Sequence, residues 1–239
     1  MNILSAGAAK GLLRTIATRE AIPLEGEFGA VGAMRERLKA GAPCDVIVLT
    51  AAMIAELAAS GEVDTASVIA LGKVHAGIAL LKAAPPVSVD DAQSLKQLLS
   101  QATKLYFPDP SRATAGIHFM KVLTSLGLSE SHGERFATYP NGATAMRAMA
   151  DAGHIAAVGV TQCSEILYTE GVRYAGALPS PFELATIYSA AITNRVENVD
   201  EAKRLLHALS SATNEQARIS AGFEPLASWL YASQSMCKW

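Results

Sequence analysis

The sequence predicts an α/β fold of two lobes with a cleft between them, and three observations carry this. Short apolar runs alternate with helix-period runs along the whole chain, which implies parallel sheets covered by helices on both faces. Five times, a strand-like run ends in a loop of small residues that opens into a helix. Prolines interrupt the chain beside two strand-like runs, at Pro85-Pro86 and at Pro179 and Pro181. If the chain crosses between lobes at both places, residues 1–77 and 189–239 form one lobe and residues 78–188 the other. Two crossings make a bendable hinge.

The elements follow in order. Residues 2–4 are a short strand; Ser5-Ala6-Gly7-Ala8-Ala9 opens a helix with Leu12, Leu13 and Ile16 on one face. Phe28 is followed by Gly29-Ala30-Val31-Gly32-Ala33 and a helix carrying Met34 and Leu38. Residues 45–50 (DVIVLT) are a continuous apolar strand, and the helix through Met53 and Leu57 stops at Gly61. Residues 77–82 form a strand closed by Pro85-Pro86, and residues 94–99 a helix.

Residues 105–107 form a strand stopped by Pro108-Asp109-Pro110, since proline neither donates to a ladder nor follows a helical residue freely. Small residues then lead into a helix over residues 116–126, ended by Gly127. Tyr139-Pro140-Asn141-Gly142-Ala143-Thr144 opens the helix of Met146 and Met149, which Gly153 terminates. Residues 156–160 are a strand ending at Thr161-Gln162-Cys163-Ser164, before Ile166 and Leu167. Residues 186–194 are a strand, and residues 200–209 and 215–221 are helices.

The five strand–loop–helix units point to one ligand cleft. In open α/β sheets ligands sit beyond the carboxyl ends of strands, beside helix N-termini with unpaired N–H groups. The ligand-binding residues expected there are Gly7, Ala8, Lys10, Ala30, Val31, Arg112, Thr114, Ala115, Asn141, Gly142, Thr161, Gln162 and Ser164. Arg112 offers a permanently charged fork for a carboxylate or phosphate. Lys10 adds a second positive charge, or is a solvated helix residue.

Composition narrows the classes. The chain has 239 residues, half of them hydrophobic, and a net charge of −2. No Lys/Arg cluster interleaves with aromatics, which argues against nucleic acid as a partner. No apolar run approaches the roughly 18–20 residues that span a bilayer. Cys44, Cys163 and Cys237 fit neither a zinc spacing nor a disulfide framework. Cys44 reads as a buried structural thiol; Cys163 is either a small loop residue or a thiolate favoured by a helix start. The five histidines show no paired ligand spacing, so no metal is expected, and no nucleotide or catalytic motif calls for a cofactor. Met1 and Asn2 pass straight into a strand, without a basic n-region or cleavage site. That leaves a cytoplasmic chain, or a periplasmic one from which a leader has been removed.

GAPCDVIVLT resembles the GAPAD-hydrophobic segment of the molybdate-binding proteins of ABC transporters. DPSRATAGIHFMKVLTSLGL resembles that family's DP-x-x-x-x-AG-I motif and following helix, and NEQARISAGFEP its closing helix and GF dipeptide. The resemblance spans about residues 3–225. It implies a type II periplasmic-binding-protein fold, two α/β lobes closing on a ligand, and a membrane transporter as partner if the chain is exported. Members of the family hold a tetrahedral oxyanion with hydroxyls from an AAAS-type first loop, a serine-rich second loop and a late-loop tyrosine. Here Ala8 stands at the first position, Ala30, Val31 and Gly32 at the second, and GVTQCSE has no tyrosine at the third. Losing a charged hydrogen bond costs roughly 1.5–3 kcal/mol each. With Lys10 and Arg112 nearby, the expected ligand is a small organic acid, with more than one carboxylate.

Three function classes stay open. One is an anion-binding solute-binding protein. Another is a cofactor-independent isomerase, because aconitate isomerase is similar to this family. Glu165 and His118 are then the candidate bases, each just inside a helix at a ligand loop. Glu165 also suits a first helical turn for dipole reasons alone, and His118 could face solvent or core. The third is an effector-binding domain that acts by joining a partner. The C-terminal WLYASQSMCKW, with Trp229, Leu230, Tyr231 and Trp239, packs on its own chain or mediates dimerisation.

Overall fold

The computed structural model describes residues 1–226, so the C-terminal aromatic segment and Cys237 lie outside the described residues. The strands are β1 (Asn2–Ala6), β2 (Glu25–Gly29), β3 (Val46–Thr50), β4 (Ile69–Leu81), β5 (Leu105–Pro108), β6 (Phe136–Tyr139), β7 (Val158–Gln162), β8 (Val172–Ala177) and β9 (Ala185–Ile192). The helices are α1 (Lys10–Arg19), α2 (Val31–Lys39), α3 (Ala51–Ala59), α4 (Ala92–Gln101), α5 (Thr114–Ser125), α6 (Gly142–Ala152), α7 (Cys163–Tyr168), α8 (Val199–Ser210) and α9 (Glu215–Ser220). A short 3-10 turn, Gly7–Ala9, precedes α1.

The strands run in the order β2-β1-β3-β9-β4-β7-β5-β6, with β8 also on β4. β1, β2 and β3 are parallel, Ile3 pairing with Gly26 and Val46. β5, β6 and β7 are parallel too, Leu105 pairing with Phe136 and Val158. The expectation of purely parallel sheets is corrected at β4 and β9, which run antiparallel to their neighbours. β4 is the reason. Its first half pairs with β9 (Lys73 with Ile187, His75 with Ala185), and its second half pairs with β7 and β8. One long strand, together with β9, thus joins the two groups of parallel strands.

Two apolar cores lie along this sheet. One gathers Ile3, Leu12, Val48, Leu57, Leu205 and Phe223; the other gathers Ile78, Leu99, Phe107, Phe119, Met146 and Leu178. The change of core on β4 falls between Val74 and Ala76. Tyr188 packs into the first core and Leu184 against the second.

Local sequence explains most elements. The apolar residues of β3 are buried on both faces, as a strand between two helical layers requires. α8 starts at Asn198, whose side chain accepts from Glu201 N–H, and carries Asp200 and Glu201 where the helix dipole favours them. Asp91 and Ser94 form a reciprocal capping box on α4. α6 ends at Gly153, left-handed at φ 66°. Three strands carry weaker signals. β2 reads EGEFG and is largely exposed, β6 is four residues long, and β8 is broken by Gly176. The first half of β4, interrupted by Gly72 and Lys73, likewise does not read as a strand.

Candidate functional site

All five small-residue loops meet at one cavity of about 30 Å³. Ala6, Gly7 and Ala8 enter from the end of β1, and Gly29, Ala30 and Val31 from the end of β2. Pro108, Ala113, Thr114 and Ala115 come from the β5–α5 loop, Asn141 and Gly142 from the start of α6. Gln162 and Glu165 come from the β7–α7 junction, and Tyr188 from β9. A space of this size holds one or two waters or one small ligand head group.

The caps of these helices separate them from the others. Thr50, Asp91 and Asn198 cap α3, α4 and α8 with side-chain oxygens. At the cavity, Ala6, Ala30, Ala113 and Gln162 supply no side-chain cap; Asn141 alone does, accepting from Thr144 N–H. First-turn N–H groups have no partner within their own helix. Here they converge on a cavity instead of being satisfied by local side chains.

Glu165 dominates the electrostatics. It is buried; one oxygen accepts from Thr161 Oγ1 at 2.6 Å, the other from Ala143 N–H at 3.2 Å. Burial pushes its pKa up, against hydrogen bonds from Thr161 and the Ala143 and Gly142 backbone. Two glycines make room for it. A Cβ on Gly7 would stand 2.6 Å from Glu165 Oε1, and one on Gly142 would collide with Thr161 Oγ1 and Glu165 Oε2. Tyr188 stays a neutral phenol, its pKa raised by burial and then by Glu165. Gln162 donates to Thr186 Oγ1 at 3.2 Å, while its buried Oε1 has no hydrogen-bond partner among the described residues.

Of the residues expected from sequence, Gly7, Ala8, Ala30, Val31, Thr114, Ala115, Asn141, Gly142, Gln162 and Glu165 line the cavity. Thr161 sits behind it, bonded to Glu165. Ser5 is buried and donates to Ala6 O at 2.9 Å. The others lie elsewhere. Arg112 is exposed and not in the cavity wall; it lines a groove with Asp109 and Tyr139 that shares Ala30 with the cavity. Ser164 is buried toward α1 and α9. His118 Nε2 is 2.8 Å from the Phe182 carbonyl, outside the cavity wall. Lys10 lines an adjoining cavity with Arg147 and Thr144. Burial raises the thiol pKa of Cys44 to about 12 and also raises that of Cys163, which disfavours thiolate chemistry at both.

Ala6, Gly29, Pro108 and Ala113 also line the cavity, outside the ligand contacts expected from sequence, and Tyr188 is the polar lining residue that sequence reading misses. It lies inside an apolar strand, and nothing in TIYSAAITN separates a side chain facing the cleft from one facing the core. Arg147 is missed for the opposite reason: an exposed arginine two turns into a helix reads as solvated surface.

The sequence model of the family described as bacterial extracellular solute-binding protein matches residues 1–224. An aconitate isomerase from a Pseudomonas species is 25% identical over 239 aligned residues, covering 95% of this chain and 88% of that one. The periplasmic molybdate-binding protein of Azotobacter vinelandii superposes with a TM-score of 0.76 at 18% identity, over 95% of this chain and 99% of its own. The sulfate-binding protein SubI from Mycobacterium tuberculosis gives 0.71 at 14% identity, over 99% and 90%. Both share the type II periplasmic-binding-protein fold with this chain.

Proposed function

We infer, from the premise that the chain belongs to the bacterial extracellular solute-binding protein family, that it binds a small organic anion, closing its two lobes on a carboxylate. The convergence of uncapped helix starts on one small cavity carries this reading. Their N–H groups suit the oxygens of an anion. The composition of the wall selects the kind of anion. A tetrahedral oxyanion needs donors on every side, yet Ala8, Ala30 and Val31 offer no side-chain donor. A planar carboxylate needs fewer. Burial makes the Glu165 carboxyl, the one carboxylic acid in this wall among the described residues, a weaker acid.

The lobe partition, residues 1–77 with 189–239 against 78–188, is part of this proposal. The hinge is β4 together with the return into β9, supported by the change of core between Val74 and Ala76. Among the described residues no helix is long and apolar enough to cross a membrane. An exported chain delivering its ligand to a membrane transporter follows from the family, and is proposed on that ground. Calorimetric titration of the protein with molybdate, sulfate and a panel of mono-, di- and tricarboxylates tests the reading. Carboxylate binding with weak or no oxyanion binding is expected; tight molybdate binding with no carboxylate binding overturns it.

One observation favours a second reading, an aconitate-type isomerase: a buried carboxyl of raised pKa stands in the cavity wall. Glu165 as its ionised carboxylate, made more basic by burial, would take a proton from the methylene carbon, the double bond would shift by one position, and the same proton would return to the former vinylic carbon, restoring the carboxylate. No co-reactant is needed. The relative that is an aconitate isomerase supports this. His118, outside the cavity wall, has no part in it. Incubation with cis- or trans-aconitate in heavy water, followed by chromatography and mass measurement, tests it. Conversion in the wild type that Glu165→Gln abolishes while retaining binding supports Glu165 as the base. No conversion at high protein concentration removes the isomerase reading for this substrate.

A further inference from the structure

The central cavity is not closed off. Gly7 and Asn141 belong to its wall and also to the wall of a second cavity of about 300 Å³. Lys10 enters that outer space from the start of α1 and Arg147 from α6, with Phe28 and Tyr168 as aromatic walls. Among the described residues, no carboxylate lines it.

Aromatic rings, not acids, flank Lys10 and its neighbour Arg14. Lys10 Nζ lies 5.7 Å from the Phe28 ring centroid and 5.7 Å from that of Tyr168. Arg14 lies 5.9 Å from the Phe28 ring and donates to the Tyr168 hydroxyl at 3.2 Å. Cation–π contacts position a charge without neutralising it. Among the described residues, none of Lys10, Arg14 and Arg147 forms an ion pair. Other concave surfaces mix their signs: Arg112 sits with Asp109, and Lys203 and Arg204 with Asp200 and Glu20. A concave wall of one sign focuses potential and attracts the opposite charge.

We propose that this outer cavity is a second anion subsite, so that the ligand is an elongated di- or tricarboxylate. This rests on the carboxylate reading of the central cavity and extends it. One carboxylate sits on the helix starts, where about 30 Å³ admits a single head group. The aliphatic chain leaves between Gly7 and Asn141. The second carboxylate meets Lys10 and Arg147, with Thr144 beside them. Gly7 keeps the passage clear, since a side chain there would already strike Glu165.

Calorimetry on the full chain with pentanoate and glutarate, equal in carbon number and differing in the second carboxylate, tests the subsite. Wild type should bind glutarate at least about tenfold more tightly, the scale of one charge-assisted contact. The combined Lys10→Gln, Arg147→Gln variant should bring the glutarate-to-pentanoate ratio close to one. Arg147→Lys, which keeps the charge, should retain part of it. Thermal melts verify that the variants are folded. A ratio unchanged in the folded double variant overturns the subsite while leaving the central site standing. If wild type binds neither acid but binds molybdate, the carboxylate reading itself fails, and the subsite with it.

Discussion

Glu165 and the glycines around it depend on one another. The carboxyl fills the volume that side chains at Gly7 and Gly142 would need. Gly142→Ala is therefore expected to destabilise the fold by about 1–3 kcal/mol, the range for forcing extra atoms into a packed site. It should also expel Glu165 from its bond to Thr161, a loss that urea denaturation and ligand titration would both register. Glu165 also links stability to pH. Its folded pKa lies above the ordinary 4.5 because burial disfavours the charge. Below about 4.5, the ordinary value, both folded and unfolded chains hold the proton and the contribution is at its full value. As pH rises the unfolded chain ionises first, so stability declines until the folded carboxyl ionises too. Glu165→Gln removes this dependence. In urea titrations from pH 4 to pH 8, the variant should gain on wild type as pH increases; a constant difference would contradict the assignment. Arg112, exposed and outside the cavity wall, behaves otherwise: Arg112→Ala should shift stability by no more than about 0.5 kcal/mol and leave carboxylate affinity unchanged.

At the level of elements, capping divides the helices into two kinds. Away from the cavity α9 has no side-chain cap, but α3, α4 and α8, also away from it, complete their first turns with side-chain caps. The cavity-facing elements mostly do not. Asn198→Ala on α8 should cost about 1 kcal/mol of stability, the usual value of a cap, with ligand affinity unaltered. Asn141→Ala should cost a similar amount and also weaken binding, because Asn141 caps α6 and lines both cavities. Chemical denaturation and calorimetry on the two variants separate these effects. The five strand–loop–helix junctions were legible because small residues followed by helical periodicity form a local pattern. β2, β6, β8 and the first half of β4 were not, because edge exposure, short length and glycine breaks erase the period-2 signal.

The whole molecule has two cores strung on one sheet, with β4 running through both. A ligand that bridges the lobes binds the folded, closed chain and not the unfolded one. Saturation with a binding carboxylate at 100 times its Kd should then raise unfolding free energy by about 2.7 kcal/mol. Small-angle scattering should show a smaller radius of gyration with ligand than without. Stabilisation without compaction would mean that the site fills without lobe closure.

The sequence by itself determined the α/β class, the five small-residue strand–loop–helix junctions, and that Ala8, Ala30 and Val31 bring no side-chain hydroxyl. These are local properties, set by residue size, backbone freedom and helical period. Tertiary structure alone decided which polar side chains reach the cleft. Arg112, the charged fork expected as anchor, lines an outer groove that meets the cavity at Ala30 but is not in the cavity wall, whereas Tyr188 and Arg147, unremarkable in sequence, stand at the two cavities. The reason is geometric. A residue's position along the chain places it on an element, but its direction relative to a cleft depends on how β4 and β9 carry one lobe against the other, through pairings between residues more than 100 apart in sequence.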